Sequence, residues 1–291
     1  MQSSLFTLPI SEQLSPFCSL RRQGELTLLI IEHTEFRAAF SLQGGQLIAW
    51  QPNNQPAVIW LSDQTEFTQG KAIRGGIPIC WPWFGPAGKP SHGFARTSEW
   101  QLINCEESAQ QVKVTMRLTA TPETHKIWPH DFELTLVALL SAESSRITLR
   151  ITGNIETTAA LHSYFHVGDS ETARVSGLGE YYIDKVKGNT LASQQGEQTY
   201  QGEVDRIFTH PAAESLLKDP QLKRALKIEH EGLSDVVTWN PGATLCHSMA
   251  DMSDDGYKTM VCVETARISQ PFVTTTTTPA ELTVTITPLP W

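Results

Sequence analysis

The sequence has little of what three large classes of protein depend on. Lysine and arginine are scarce: 22 of them face 31 aspartates and glutamates over 291 residues, a formal net charge of −9. A nucleic-acid-binding face displaces counterions with dense positive charge, so no nucleic-acid partner is expected. Apolar runs are short, none approaching the ~20 residues of a membrane-spanning helix, and no basic segment leads into an apolar stretch at the N-terminus. The expected location is the cytoplasm, without membrane association. Cysteines are few and unpatterned: Cys18, Cys80, Cys105, Cys246 and Cys262 are odd in number and show no CxxC spacing. That fits reduced, mostly buried thiols better than a disulfide framework or a zinc site. Long helical runs and repeats of ~20–50 residues are also missing, which argues against βαβ units and solenoids.

What is present is a chain of ordinary globular composition, 40% hydrophobic and 18% charged, filled with short alternating segments. In Gln111–Thr119, Val112, Val114, Met116 and Leu118 alternate with polar neighbours. Glu25–Ile31, Phe36–Leu42, Phe132–Leu140, Arg146–Thr152, Leu226–Glu231, Asp235–Trp239, Thr259–Val263 and Leu282–Thr287 are of the same β-rich kind. Period-2 alternation with β-branched enrichment marks half-buried strands. Strands spaced about ten residues apart predict an antiparallel sandwich or barrel in one domain over residues 1–291. A short helix is expected over Pro211–Lys218, bounded by two X-Pro pairs. The threonine run Thr274–Thr278 reads as strand edge or loop. Gly70–Arg96 and Thr190–Asp205 read as long loops.

The first of these loops carries most of the chemistry. Gly85–Ser91 imitates a phosphate-binding P-loop, but Trp83 stands where the first glycine is needed and no helix follows. Arg74-Gly75-Gly76 and Ser91-His92-Gly93-Phe94-Ala95-Arg96 set arginines beside glycines, an arrangement suited to gripping phosphate or carboxylate. Spacing alone allows equally that these arginines pair on the surface with Glu66 or Glu99. Farther on, His162, Tyr164 and His166 share one face of an extended strand. They read as a catalytic histidine, a structural His–Tyr pair or a metal site, although the helix and glutamate of the common zinc motif are missing. Glu264 ends an apolar strand, where it either meets solvent or stands at a pocket mouth with a tuned pKa.

Taken in order, Arg74–Pro78, Trp81–Gly85, His92–Arg96, Leu161–Phe165, Val204–Arg206, Val237–Pro241 and Tyr257–Glu264 are far more specific than any one of them. Together they resemble the hexose-6-phosphate mutarotases (glucose-6-phosphate 1-epimerases) of the aldose 1-epimerase, galactose mutarotase-like superfamily. The resemblance runs from about residue 20 to the C-terminus. It implies an all-β fold, a large antiparallel β-sandwich with few short helices. It also implies His162 and Glu264 at the catalytic positions, and Arg74, Arg96 and Asp205 at substrate contacts. Ser91 matches a binding position where many members carry glutamine, and its shorter side chain would act through a water. His92 lies within a matching motif and is expected to line the pocket.

The implied reaction, exchange of α and β anomers by ring opening at C1, needs one base and one acid and no metal or organic cofactor. With ordinary pKa values Glu264 serves as the base at the C1 hydroxyl and His162 as the acid at the ring oxygen. The expected partner is a hexose 6-phosphate, and the expected state is a monomer. The rival readings are a sugar-binding module using Trp81, Trp83 and Trp239 as stacking faces, a glycoside hydrolase and a mutarotase of free sugars.

Overall fold

Three antiparallel sheets account for most of the computed structural model, which describes residues 2–291. The first is a five-stranded meander, Ile10–Gln13, Cys18–Gln23, Leu26–Glu32, Phe36–Ser41 and Gln46–Pro52. Its central strands are buried on both faces. Leu29, Ile31 and Phe40 enter the main core, while Leu28, Ile30 and Ala39 enter a second core with Leu61 and Phe67. Double burial explains why this stretch reads as a continuous apolar run rather than an alternation.

The second sheet has eight strands, with Ala280–Pro290 and Ser145–Thr152 near its middle and Gln101–Glu107 at one edge. Its inner face is the alternation seen in sequence: Val112, Val114, Leu134, Leu136, Ile147, Leu149, Val284 and Ile286 all enter the main core. Each such fully buried side chain contributes roughly 1.5–3 kcal/mol relative to exposure. The outer face is polar and carries cross-strand pairs such as Arg146–Glu231 and Arg150–Glu281.

The third sheet positions the site. It runs Thr190–Ser193, Tyr181–Asp184, Val204–Phe208, Asp235–Asn240, Met260–Thr274, Ile155–Leu161 and Ile79–Cys80, and Tyr164–His166 pairs separately with Met260–Thr274. Alternation here separates core from chemistry. Val204, Val236, Val261, Val263, Leu161 and Phe165 point inward to the shared core. The opposite face carries Asp205, Val237, Trp239 and Glu264, which line a cavity. A buried polar bridge ties this sheet to the second one: His230 of the second sheet bonds Thr265 Oγ1 through Nδ1 (2.7 Å) and Ser215 Oγ through Nε2 (3.0 Å).

The expected all-β sandwich is therefore the observed architecture, with short α-helices only at Gln2–Leu5, Pro122–Ile127 and Gly242–His247 among the described residues. No helix among them is long and apolar enough to cross a membrane. The helix expected over Pro211–Lys218 is absent. Glu214–Asp219 is a strand paired with Arg224–Glu231, and Ser215, Leu217 and Asp219 are buried in strict alternation. A short apolar segment cannot be typed by periodicity alone, and here the neighbouring strand decides. The Thr190–Asp205 loop contributes an edge strand, Thr190–Ser193, and the start of Val204–Phe208. The helix at Pro122, which the sequence reading did not identify, is held by its cap: Thr121 accepts from Thr124 N and Thr124 Oγ1 accepts from Thr121 N, a reciprocal capping box. All five cysteines are free thiols; Cys18 and Cys105 face each other with their sulfurs 2.6 Å apart.

Candidate active site

Strand register assembles the site. Asp205 lies opposite Trp239, Trp239 opposite Cys262 and Cys262 opposite Tyr164, while Val237 lies opposite Glu264. One row of side chains thus crosses four strands on the face away from the core. His162 enters from a break in the neighbouring strand. Ile155–Leu161 ends just before it and Tyr164–His166 begins two residues later. Backbone bonds hold the break: His162 N donates to Pro78 O and Tyr164 N to Gly76 O, each at 3.0 Å. The Arg74–Pro78 segment therefore braces the strand that carries the histidine. His166 does not join the site, since the cavity wall includes His162 and Tyr164 but not His166.

The cavity has a volume of about 410 Å³, within the range of small-molecule pockets. Its wall includes His162, Glu264, Arg74, Ser91, His92 and Asp205. Arg96 stands outside the wall: its guanidinium donates to Ser91 O (3.0 Å) and its Nε is buried without a partner. Lys185 and Trp239 also line the cavity. Lys185 stands in no recognisable motif, in the Lys185-Val186-Lys187 turn between two short strands. Trp81 is fully buried in the main core and offers no face to a ligand.

At the floor, His162 Nε2 and Glu264 Oε1 are 3.3 Å apart, with side chains 10% and 1% exposed. The imidazole stacks on Tyr164 (centroids 4.9 Å apart, planes 13° apart). His162 Nδ1 and Glu264 Oε2 are both buried and unpartnered. Such atoms are costly unless something entering the cavity meets them. Burial drives the Glu264 carboxyl well above the usual range, reinforced by Asp205 and opposed by Arg96. It drives His162 well below its ordinary value, helped by neighbouring His92 and by the charges of Arg96 and Arg74. Both shifts favour the neutral forms, an uncharged imidazole beside a protonated carboxyl. This differs from the assignment that ordinary pKa values suggest, because burial outweighs the partner charges.

The rim is equally constrained. His92 adopts φ +64°, a region where histidine is tolerated better than most residues. Its Nδ1 accepts from Gly85 N at 3.3 Å. Burial and then Arg96, Lys185 and Arg74 lower its pKa to about 3. The ring is therefore neutral, and Nδ1 being occupied leaves its proton on Nε2. Burial raises Asp205 to about 6, with Lys185 pulling the other way. Arg74 is pinned by Asp251, through Nε at 3.1 Å and Nη2 at 3.0 Å, and by Tyr164 Oη, which accepts from Nη1 at 3.1 Å. Burial opposes its charge, but Tyr164 and Asp251 outweigh that and hold its pKa above the ordinary value.

His162, Cys262 and Glu264 bring donor atoms within 4.8 Å of one another, the one such group among the described residues. Burial pushes the Cys262 thiol well above its usual range. A metal would have to displace that proton and the one on the carboxyl, so the donor set suits proton exchange better than ion binding.

Two buried groups that can exchange a proton, in a cavity of this size, define an enzyme acting by acid–base chemistry on a small polar molecule. The sequence matches the aldose 1-epimerase family over residues 27–282, and the chain belongs to that family. It is 46% identical over 288 residues to an Escherichia coli (strain K12) protein named "Putative glucose-6-phosphate 1-epimerase", covering 97% of each chain. A Cenchrus ciliaris protein of the same name is 36% identical over 249 residues, covering 80% of this chain and 76% of that one. The crystal structure of "a putative mutarotase (YeaD)" from Salmonella typhimurium superposes with a TM-score of 0.98 at 43% identity, covering 100% of both chains.

Proposed function

We propose that this chain interconverts the α and β anomers of hexose 6-phosphates, glucose 6-phosphate first among them, with His162 and Glu264 moving the protons. The observation that carries this reading is the His162–Glu264 pair, 3.3 Å apart on the floor of a cavity that Arg74 also lines. The family membership and the names of its relatives supply the substrate class.

Ring opening takes a proton from the C1 hydroxyl and gives one to the ring oxygen; closing reverses both transfers. With Glu264 as carboxylate base and His162 as imidazolium acid, opening leaves a protonated carboxyl and a neutral imidazole. That is the state burial favours. The apolar surroundings therefore stabilise the protonation state that accompanies the open-chain aldehyde. Reclosure on either face of the aldehyde returns the proton and yields either anomer. Each group contributes roughly 10²–10⁴-fold, the usual range for positioned proton transfer. Asp205 accepts from sugar hydroxyls, neutral His92 donates through Nε2–H, and Ser91 contacts the substrate through a water. Arg74 and Arg96 hold the 6-phosphate, and Arg96 also fixes the Ser91 backbone.

NMR exchange spectroscopy of glucose 6-phosphate and glucose, with a chelator present, tests the reading. Fast anomer exchange of the phosphate ester, lost in Glu264→Gln, is the expected result. Near-full activity in that variant would remove Glu264 from the mechanism. Sugar binding without exchange would make the chain a binding module.

A further inference from the structure

Away from the cavity, the seam between the first sheet and the edge of the second holds the one pair of cysteines whose sulfurs touch among the described residues. Cys18, in Cys18–Gln23, is fully buried in the main core; Cys105, in Gln101–Glu107, packs against that core and is half-buried. They lie 87 residues apart in the chain with their sulfurs 2.6 Å apart. Two features aim them at each other. Leu102 lies opposite Met116 but Asn104 opposite Thr115, so Ile103 is an extra residue in its strand. This bulge shifts the alternation by one, and Cys105 and Glu107 take the inward side where Asn104 and Glu106 would otherwise stand. The main chain before Cys18 is fixed as well. Leu14 N and Ser15 N donate to Cys18 O at 2.9 and 3.1 Å, and Phe17 N donates to Glu107 Oε1 at 2.9 Å. Glu107, two residues beyond one thiol, thus ties its strand to the turn that precedes the other.

Of the five cysteines only Cys105 is reached by solvent; Cys18, Cys80, Cys246 and Cys262 are fully buried. An oxidant therefore meets Cys105 first, with a second thiol already in contact behind it. We propose that Cys18 and Cys105 are a peroxide-sensitive modification site, closing to a reversible disulfide that staples the first sheet to the edge of the second. The Cys105 thiolate attacks the O–O bond of hydrogen peroxide, its sulfur is oxidised to a sulfenic acid and hydroxide leaves. The Cys18 sulfur then displaces the sulfenic oxygen, which departs as water with the Cys18 proton. In sum, two thiols and one peroxide give one disulfide and two waters, and a dithiol reductant returns both thiols by exchange. The hydrogen bond with Cys105, and then burial, hold the Cys18 thiol above its ordinary value, which suits it to the second step rather than the first. A bond across 87 residues removes much freedom from the unfolded chain. No residue of either strand lines the cavity, so the bond acts on stability, and the inference stands apart from the sugar-phosphate reading.

The test exposes the folded wild-type chain and Cys105→Ser to hydrogen peroxide, quenches with catalase, and counts thiols after denaturation. Unreduced peptides are mapped by mass spectrometry, and thermal melting is followed with and without dithiothreitol. In wild type the thiol count should fall from five to three, with a Cys18–Cys105 cross-linked peptide that dithiothreitol removes. The oxidised chain should melt about 5 °C or more above the reduced one. Cys105→Ser should keep its remaining thiols and melt at the same temperature with or without peroxide. Five thiols surviving in wild type would overturn the proposal. So would a bond from Cys105 to a second copy of the chain, or Cys105 alone oxidised to a sulfinic acid while Cys18 stays free. A Cys18–Cys105 bond that leaves the melting temperature unchanged would overturn the staple.

Discussion

Replacing Asp205 by asparagine should make the protein more stable and less active, with a pH dependence that identifies the cause. Burial raises the Asp205 carboxyl from 3.8 to about 6. A carboxyl whose pKa is higher in the fold than in the unfolded chain favours the fold fully at low pH. That advantage is lost as pH rises from 3.8 through about 6. The shift of roughly two units corresponds to about 3 kcal/mol at ~1.36 kcal/mol per unit. Asp205 is partly solvent-accessible, and screening reduces this to about 1–2 kcal/mol. Above pH 7 the wild type carries the whole of that cost and the asparagine variant none of it.

Urea denaturation of wild type and Asp205→Asn at intervals between pH 3.5 and 8.5 reads this out. The stability difference should be near zero at the acid end, open between about pH 4 and 6, and stay flat above pH 7. The same variant should lose about 10- to 100-fold in kcat/KM, since an amide accepts more weakly from sugar hydroxyls than a carboxylate. A difference that does not change with pH would refute the argument. It would mean that Asp205 titrates alike in the folded and unfolded chain.

Four further substitutions probe other parts of the site. His162→Gln and Glu264→Gln should each lower kcat by about 10²–10⁴ in exchange NMR while leaving the urea midpoint at or above wild type, because each removes a buried ionisable group. His92→Asn keeps a residue that tolerates the φ of +64° but removes the imidazole. It should raise KM several-fold with little effect on stability. Gly93→Ala would place a Cβ 2.0 Å from Trp81 O at φ +71°. It should cost about 3 kcal/mol or more in urea and weaken activity through the displaced His92.

The strand system was legible because alternation is a local signal. Val112 to Leu118 and Leu134 to Leu140 announce their buried face in sequence. Glu214–Asp219 was not, because the partner strand Arg224–Glu231 decides its type and lies outside any short window. The site divides along the same line. Arg74, His92, His162, Asp205 and Glu264 stand in recognisable motifs, and the sheet register brings them to one cavity. Asp251, which pins Arg74 across 177 residues, has no motif, nor has Lys185. Protonation was the least legible property. Composition places no charge on either side of His162 and Glu264, whereas their burial decides both.

That burial yields a separate prediction for turnover. His162 is pushed down and Glu264 up, so a second proton joins the pair at lower pH, and the single proton leaves it at higher pH, than for the same groups in water. Each half of the anomerisation requires one proton on the pair, the state that these shifts favour. Asp205, titrating at about 6, governs binding instead. The kcat measured by exchange NMR at saturating glucose 6-phosphate should therefore vary less than about twofold between pH 6.5 and 8.5. KM should rise as pH falls through about 6, and Asp205→Asn should remove the part of that rise that Asp205 causes. The substrate phosphate also titrates near 6, so the variant is the control that separates the two. A kcat that declines above an apparent pKa near 6.5 would point to an ordinary solvated imidazolium as the acid. The buried shared proton would then have no place in the mechanism.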